Sequence, residues 1–410
     1  MKLLLKNLHI YSDGKDFFTD LRIEKKILNC CQGIAQRKGE LVLDLSGYIA
    51  LPGLINSHDH LELNLFPRLG NPLYNNFYQW ADDIYHPAKT PIQEILNLSL
   101  VDKLWWGAYK NLVSGVTTVI HHNPYYSKIF NNKFPIRVLR KYGWSHSIGH
   151  GSELKKSFKK SHGKPFIIHA GEGIDAQSTS EINQLIKIGL ISENTVLVHG
   201  TALKPKQIDN LTKAKASLVW CPASNIYLFG QTVDVSILNG QIRVALGTDS
   251  TMSGSATLLD ELQFAQTTGL AAKKELLKMV TSIPASIFKM TNGSGFLKEG
   301  SPADLIVVKD IGKPPEEILL NLKPGDIELV LVNGQPRLAS ESLAGFMDLG
   351  NSNARIGGIS KWIYGDVESL KNRIQEQVGE EILSGNPLWN LFQESESQVI
   401  TTEEYLVHTN

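Results

Sequence analysis

Cysteine is scarce in this chain, neither sign of charge is in excess, and no apolar run is long. Three cysteines in 410 residues, Cys30, Cys31 and Cys221, are an odd and sparse set that cannot form a disulfide framework. Neighbours in sequence such as Cys30 and Cys31 rarely pair, so the set fits a reducing compartment. Lys plus Arg and Asp plus Glu both number 41. This balance removes the electrostatic argument for nucleic acid or an anionic membrane as the main partner. One basic run, Lys155 to Lys164, reads as a solvated face. No stretch approaches the roughly 20 apolar residues needed to span a bilayer. Leu3 to Leu5 is interrupted by Lys6, Asn7 and His9, too soon for a secretory leader, and a soluble, cytoplasmic protein is expected. Also missing are a P-loop, a G-x-G-x-x-G, a G-x-S-x-G and a C-x-x-C, which leaves nucleotide-binding, serine-hydrolase and dithiol chemistries without a motif. Cys221, ahead of Pro222, has no base placed beside it by sequence and reads as a buried structural thiol.

What is present is a change of texture along the chain. The first fifty residues hold short β-rich runs, KLLLKNLHIYS, DLRIEKKI and GELVLDLS, separated by turn residues such as Asp13-Gly14. From Ile49 apolar strand-like runs alternate with helical periodicity, the pattern of βα units around a parallel sheet. IALPGLIN is followed by a helix expected from Pro91 to Leu112. Then come VTTVIH from Val116, FPIRVL near Phe134 and PFIIHA near Pro165. Helices are expected at Glu181–Ile188, Lys206–Ala214 and in LLDELQFAQ from Leu258, between the strands TVLVHG, ASLVWCP and IRVALGTDS. After Gly300 the pattern returns to β in ADLIVVKD and DIELVLVNGQ. The fold class is therefore α/β, a TIM-like (β/α)8 barrel over 51–299, with 1–50 and 300–338 joined in one small β domain. Residues 339–410 read as a polar, irregular extension with one helix near Glu368 to Glu381 and no legible role. Between Val116 and Pro165 there is room for little more than one ordinary βα unit where eight strands need two. Either a strand and helix are very short there or the barrel is distorted.

The chemistry-bearing residues recur at one structural address. His58 and His60, in His58-Asp59-His60, follow a buried strand and share a face if the strand continues. His169 ends PFII, His199 ends TVLV, and Asp249 follows IRVALGT. Strand C-termini are where barrel enzymes place their working groups. Any one of these alone could be a structural residue; five at the same address point to a metal centre. Imidazole and carboxylate suit Zn2+ or Fe2+ with a position left open for water. Glu172, in HAGEG, lies three residues beyond His169, and Gly171 and Gly173 permit a tight turn that carries its carboxyl over the metal. It is the candidate proton carrier; the alternative is an acid complementing a helix dipole.

The motifs PGLINSHDH from Pro52, GVTTV from Gly115, PFIIHAGEG from Pro165, VLVHG from Val196, CPASNIYLFG from Cys221, ALGTDS from Ala245 and GSPADLIVV from Gly300 resemble the amidohydrolase superfamily. The resemblance is to its group of triazine hydrolases, guanine deaminase and related aminohydrolases, and it covers roughly residues 1–335. It implies a mononuclear site in which His58, His60, His169 and Asp249 bind one divalent ion, Zn2+ before Fe2+, with His199 beside the bound water. It also implies a composite β-sandwich from the two chain ends and, by analogy, a homodimer. Binuclear relatives use a carboxylated lysine from the fourth strand; here the lysines of that interval lie in the polar run Lys155 to Lys164, which argues for one ion.

The expected reaction is attack of metal-activated water on an electrophilic ring carbon of a nitrogen heterocycle, with ammonia released. Glu172, His199 and Asp249 are the candidate catalytic groups. Arg68, Trp80, His121 and Asn225 are candidate substrate contacts, and aromatic residues from Phe77 to Trp80 are placed to stack on a ring. A cyclic-amide hydrolase or a halide-releasing hydrolase of the same architecture is the nearest rival. A non-catalytic binding protein on a barrel scaffold is the distant one, and the complete ligand set speaks against it.

Overall fold

Strand runs that are apolar on every residue need cover on both faces, and the barrel runs of this chain receive it. A computed structural model describes residues 1–393 apart from 162, 239, 292, 351 and 352; the rest of the extension, 394–410, lies outside the described residues. Eight parallel strands follow one another: Leu54–Asp59, Val116–His121, Arg137–Val138, Gly143–Ser145, Phe166–Ala170, Thr195–His199, Ser217–Trp220 and Arg243–Leu246. They are called the first to the eighth strand below. The first three form one ladder and the last five another, so the hydrogen-bonded ring is not closed. At one junction the first and eighth strands are tied through their ends, by Asp249 N–H donating to His58 O at 3.1 Å and Thr248 N–H to Asn56 Oδ1 at 3.2 Å.

The other junction lies in the stretch whose length was too short for two βα units. Both strands are there, but the third has two residues and the fourth three. Residues between the second and fourth strands form no helix; an aromatic cluster of Tyr125, Tyr126, Phe130 and Phe134 fills that space. The first helix of the stretch, Gly151–Lys160, comes only after the fourth strand. FPIRVL thus shrinks to Arg137–Val138, its ladder length limited by Pro135.

The helices expected at Glu181–Ile188, Lys206–Ala214 and from Leu258 are present as Ala176–Lys187, Pro205–Ala214 and Leu258–Thr267, the first beginning five residues earlier than expected. The single helix expected from Pro91 to Leu112 is two, Ile92–Asn97 and Leu100–Leu112. Ser99 breaks it by accepting from Asp102 N–H at 3.1 Å, which satisfies an otherwise orphan donor of the second helix. In that second helix Gly107 is required by contact: a Cβ there would sit 2.2 Å from Leu61 O. The helix can therefore lie directly against the turn that follows His60.

The two chain ends meet in one ten-stranded mixed sheet. Tyr48–Pro52 pairs antiparallel with Leu305–Lys309 and so joins the N-terminal strands to the later ones. The segment after Ala339, expected to be irregular apart from one helix near Glu368 to Glu381, contains that helix as Val367–Val378 and further strands and helices among its described residues. Asn353–Ile356 and Ile359–Ile363 extend the sheet, and helices Val367–Val378, Glu380–Leu383 and Pro387–Leu391 follow. Its polar composition hid three fully buried anchors. Trp389 packs on Trp106 with ring centroids 5.2 Å apart, Phe392 does the same at 5.2 Å, and Asn386 Nδ2 donates to Asn64 O at 3.1 Å and Phe66 O at 2.8 Å. The extension therefore clamps the loop that leaves His60. Among the described residues no helix is long and apolar enough to cross a membrane.

Trp389→Ala removes a fully buried ring from that clamp and is expected to cost about 3–5 kcal/mol, measured by denaturant unfolding. A loss below about 1 kcal/mol, the range of an ordinary surface change, would show that the segment is only loosely attached.

Candidate metal centre

The ends of the first, fifth, sixth and eighth strands bring His58, His60, His169, His199 and Asp249 together. Two overlapping triads share His58: with His169 and His199, and with His60 and Asp249, the potential ligand atoms of each lying within 4.8 Å of one another. His169 Nε2 is 3.2 Å from His58 Nε2. Asp249 Oδ1 is 3.6 Å from His58 Nε2 and 3.7 Å from His60 Nε2. All five residues are buried.

Each group is aimed by a partner on its far side. His169 Nδ1–H donates to His146 O at 2.7 Å, and His199 Nδ1–H to Asn225 Oδ1 at 2.9 Å. Both partners are pure acceptors at those atoms, so both rings carry their proton on Nδ1 and keep Nε2 bare toward the centre. His199 Nε2 is buried with no hydrogen-bond partner, an orphan that a cation would satisfy. Ser224 and Ser253 hydroxyls donate to Asp249 Oδ2 at 2.9 and 3.2 Å, which turns Oδ1 inward. A set of bare imidazole nitrogens around one carboxylate oxygen suits a divalent ion such as zinc.

Two of these residues hold left-handed backbone, His199 at φ 70° and Asp249 at φ 56°. For a residue with a Cβ this costs about 1–3 kcal/mol and persists only where the surroundings over-determine it. At Asp249 the carbonyl accepts from Lys110 Nζ at 2.8 Å and from Thr248 Oγ1 at 2.9 Å. Lys110 is wholly buried and donates as well to Asn64 Oδ1 at 2.8 Å and Thr248 Oγ1 at 3.0 Å, with Asp59 Oδ1 3.4 Å away.

Glu172 is carried by the turn after the fifth strand, where Gly171 sits at φ +65°. Its Oε1 is 3.6 Å from His199 Nε2. Burial, with the negative fields of Asp249 and Glu181, raises its pKa well above the usual carboxyl range. Burial lowers His199 to about 4 against the opposing pull of Asp249. Burial also pushes Asp249 upward, but the adjoining His58 and the fields of His60 and His199 hold it well below its ordinary value. The centre thus pairs a Glu172 biased toward its protonated form with a neutral His199 and a carboxylate at Asp249 whose ionised form is favoured.

The family model for the amidohydrolase family matches residues 145–337. That segment of the chain is therefore similar to the amidohydrolase family. His169, Glu172, His199 and Asp249 fall inside the matched segment, His58 and His60 before it. In sequence, the 5-methylthioadenosine/S-adenosylhomocysteine deaminase of Pyrococcus furiosus is 22% identical over 413 residues, covering 81% of this chain and 94% of the relative. The structure is similar to atrazine chlorohydrolase from Arthrobacter aurescens TC1 complexed with zinc, at TM-score 0.71 and 17% identity over 92% of this chain and 100% of that one. It is also similar to an adenosine deaminase from Xanthomonas campestris with bound zinc, at TM-score 0.66 and 14% identity over 91% and 98%. These two likenesses show a common fold.

Around this centre the residues expected as substrate contacts have the following partners. Asn225 faces His199 and serves it. His121 lies behind the first strand: its Nδ1 accepts from Leu61 N–H at 3.4 Å, its Nε2 is 3.7 Å from Glu62, and its ring packs on Phe130. Trp80 donates to Leu69 O at 3.0 Å and braces its own loop, while Arg68 stacks over Tyr227 and donates to Gly254 O at 3.1 Å, tying that loop to two other segments. The small cleft beside His169 and Glu172 is lined instead by Phe77, Tyr78, His146 and Ser147. Phe77 N–H donates to Glu172 O at 3.0 Å, so the aromatic segment covers the acid directly. Tyr78 OH donates to Glu181 Oε1 at 2.8 Å while Glu181 Oε2 accepts from Gly171 N–H at 3.1 Å, which locks the same turn from below.

Sequence reasoning missed His122, His146, Lys110 and Glu181. Strand alternation carried the signal for His122, since only one of His121 and His122 can face the barrel interior. The lone lysine on the otherwise apolar helix LWWGAYKNL was the signal for Lys110. Lys110→Met strands Asp59 without its buried cation and is expected to destabilise by about 3–5 kcal/mol. Adding Asp59→Asn should recover part of that loss in a double-mutant cycle; simple additivity would mean the two do not act together.

Proposed function

We propose that the protein is a metal-dependent aminohydrolase that removes an amino group from a nitrogen heterocycle. The observation carrying this reading is the convergence of bare imidazole nitrogens and one carboxylate oxygen beside Glu172, a buried acid 3.6 Å from His199 Nε2. His58, His60, His169 and Asp249 would hold one divalent ion, zinc before iron, with His199 adjacent. Bound there, such an ion supplies Lewis-acid activation of water near neutral pH.

The chain's own groups then divide the proton work. His199 Nε2, bare and neutral, accepts and orients a proton. Asp249 Oδ1, ionised, provides a second acceptor. Glu172 Oε1 lies where a proton can pass to a ring nitrogen, and afterwards to the departing ammonia. Phe77 and Tyr78 cover the cleft and exclude water. The eight strands are read as a distorted TIM-like barrel over 51–299, with 1–50 and 300–338 as a composite sandwich and the described part of the extension, to residue 393, as a buttress.

Relatives named as deaminases by sequence favour ammonia release, while the structural likeness to a chlorohydrolase keeps halide release as the second reading. Incubating the metal-loaded protein with purine nucleosides, pterins and chlorinated triazines, and measuring ammonia and chloride, separates them. Ammonia is expected; chloride alone would overturn the deaminase assignment. Glu172→Gln should retain its metal and lose about 100- to 10,000-fold in turnover, measured by ammonia release and metal analysis. Unchanged turnover would remove Glu172 from the mechanism.

A further inference from the structure

His122 is used by nothing described so far, yet it sits against the centre. It is wholly buried and stacks on His169 with ring centroids 4.3 Å apart and planes 5° from parallel. Its two nitrogens meet different partners: Nε2 lies 3.0 Å from Ser145 O, and Nδ1 lies 3.2 Å from His58 Nδ1. A carbonyl oxygen can only accept, so His122 Nε2 carries a proton. A neutral imidazole has one N–H, which leaves His122 Nδ1 as a bare acceptor. The short Nδ1 to Nδ1 contact is then bonded only if His58 Nδ1 is the donor. His58 in turn has one N–H, and placing it on Nδ1 leaves Nε2 bare, the atom that faces His169 Nε2 and Asp249 Oδ1.

We infer that His122 is a positioning residue that sets the tautomer of His58, through the relay Ser145 O, His122, His58, and so makes His58 Nε2 available to a divalent cation. His122 does for His58 what the His146 carbonyl does for His169 and what Asn225 does for His199. Three imidazoles receive the same instruction from three different acceptors. His58 belongs to both triads of the centre, so its tautomer matters to the whole set. Second-shell acceptors of this kind typically contribute 10- to 100-fold in metal affinity.

The inference rests on the metal reading above, and its test uses zinc binding rather than turnover. Zinc affinity is measured by competition against a chromogenic chelator for the native protein, His122→Phe and His122→Asn. Phenylalanine keeps a ring and loses the acceptor. Asparagine places an oxygen where Nδ1 stood and keeps it. Zinc should bind about 10- to 100-fold more weakly to His122→Phe and close to native strength to His122→Asn, with the melting temperature of each apoprotein reporting folding separately. Equal affinity in native and His122→Phe, or equal weakening in both variants, would overturn the role of His122. Failure of the native protein to bind zinc would overturn the metal reading itself. Long-range 1H–15N spectra of 15N-histidine-labelled, zinc-loaded native protein need no variant. They should show His122 protonated at Nε2 and His58 at Nδ1; a proton on His122 Nδ1 would contradict the relay.

Discussion

The buried ammonium of Lys110 is the constraint on which the arrangement of the centre depends. It reaches from the helix Leu100–Leu112 to the carbonyl of Asp249, the hydroxyl of Thr248 and the amide oxygen of Asn64, with the carboxylate of Asp59 alongside. Those four groups belong to the two places that supply ligand-competent side chains, the His58-Asp59-His60 segment and the end of the eighth strand. The strand ladder does not close between them, so side-chain bonds do what backbone pairing does elsewhere in the ring. A buried charge is costly unless every hydrogen-bonding position is used, and that cost makes the geometry stringent. The close approach of Gly107 to Leu61 O brings the helix near enough for this contact, and Asn386 fixes the loop from the other side.

With the scaffold so held, the centre works by opposing tendencies. Left-handed backbone at His199 and Asp249 is unfavourable alone but turns both side chains inward at the strand ends. Burial disfavours the charged forms of His60, His169, His199 and Glu172, while nearby imidazoles favour the ionised form of Asp249. The proposed acid, base and ligand roles thus fall to groups of only two chemical kinds, distinguished by surroundings. The same low-dielectric interior that separates these pKa values would strengthen the hold on a cation.

Much of this was legible beforehand for a physical reason. Fully apolar strands ending in a polar residue announce both the parallel sheet and its working end, so His58, His60, His169, His199 and Asp249 could be found one by one. The third strand was legible as FPIRVL though only two of its residues pair, but the fourth was obscure because three residues carry no periodicity, and His146, which follows it, vanished with it. The substrate contacts were the hardest to read for another reason. Arg68, Trp80, His121 and Asn225 were chosen by residue type near the site, and type does not say which way a side chain turns. In the structure the backbone and neighbours claim each of them. The tail was misjudged because its mean polarity conceals Trp389, Phe392 and Asn386, whose importance lies in what they touch.

The central claim is that His58, His60, His169 and Asp249 form one mononuclear metal centre. The most direct measurement is anomalous diffraction from crystals of the protein grown with zinc, collected across the zinc edge. A single strong peak bounded by those four side chains, with His199 beside it, is predicted. Two peaks within the centre, a peak elsewhere, or none would contradict the account.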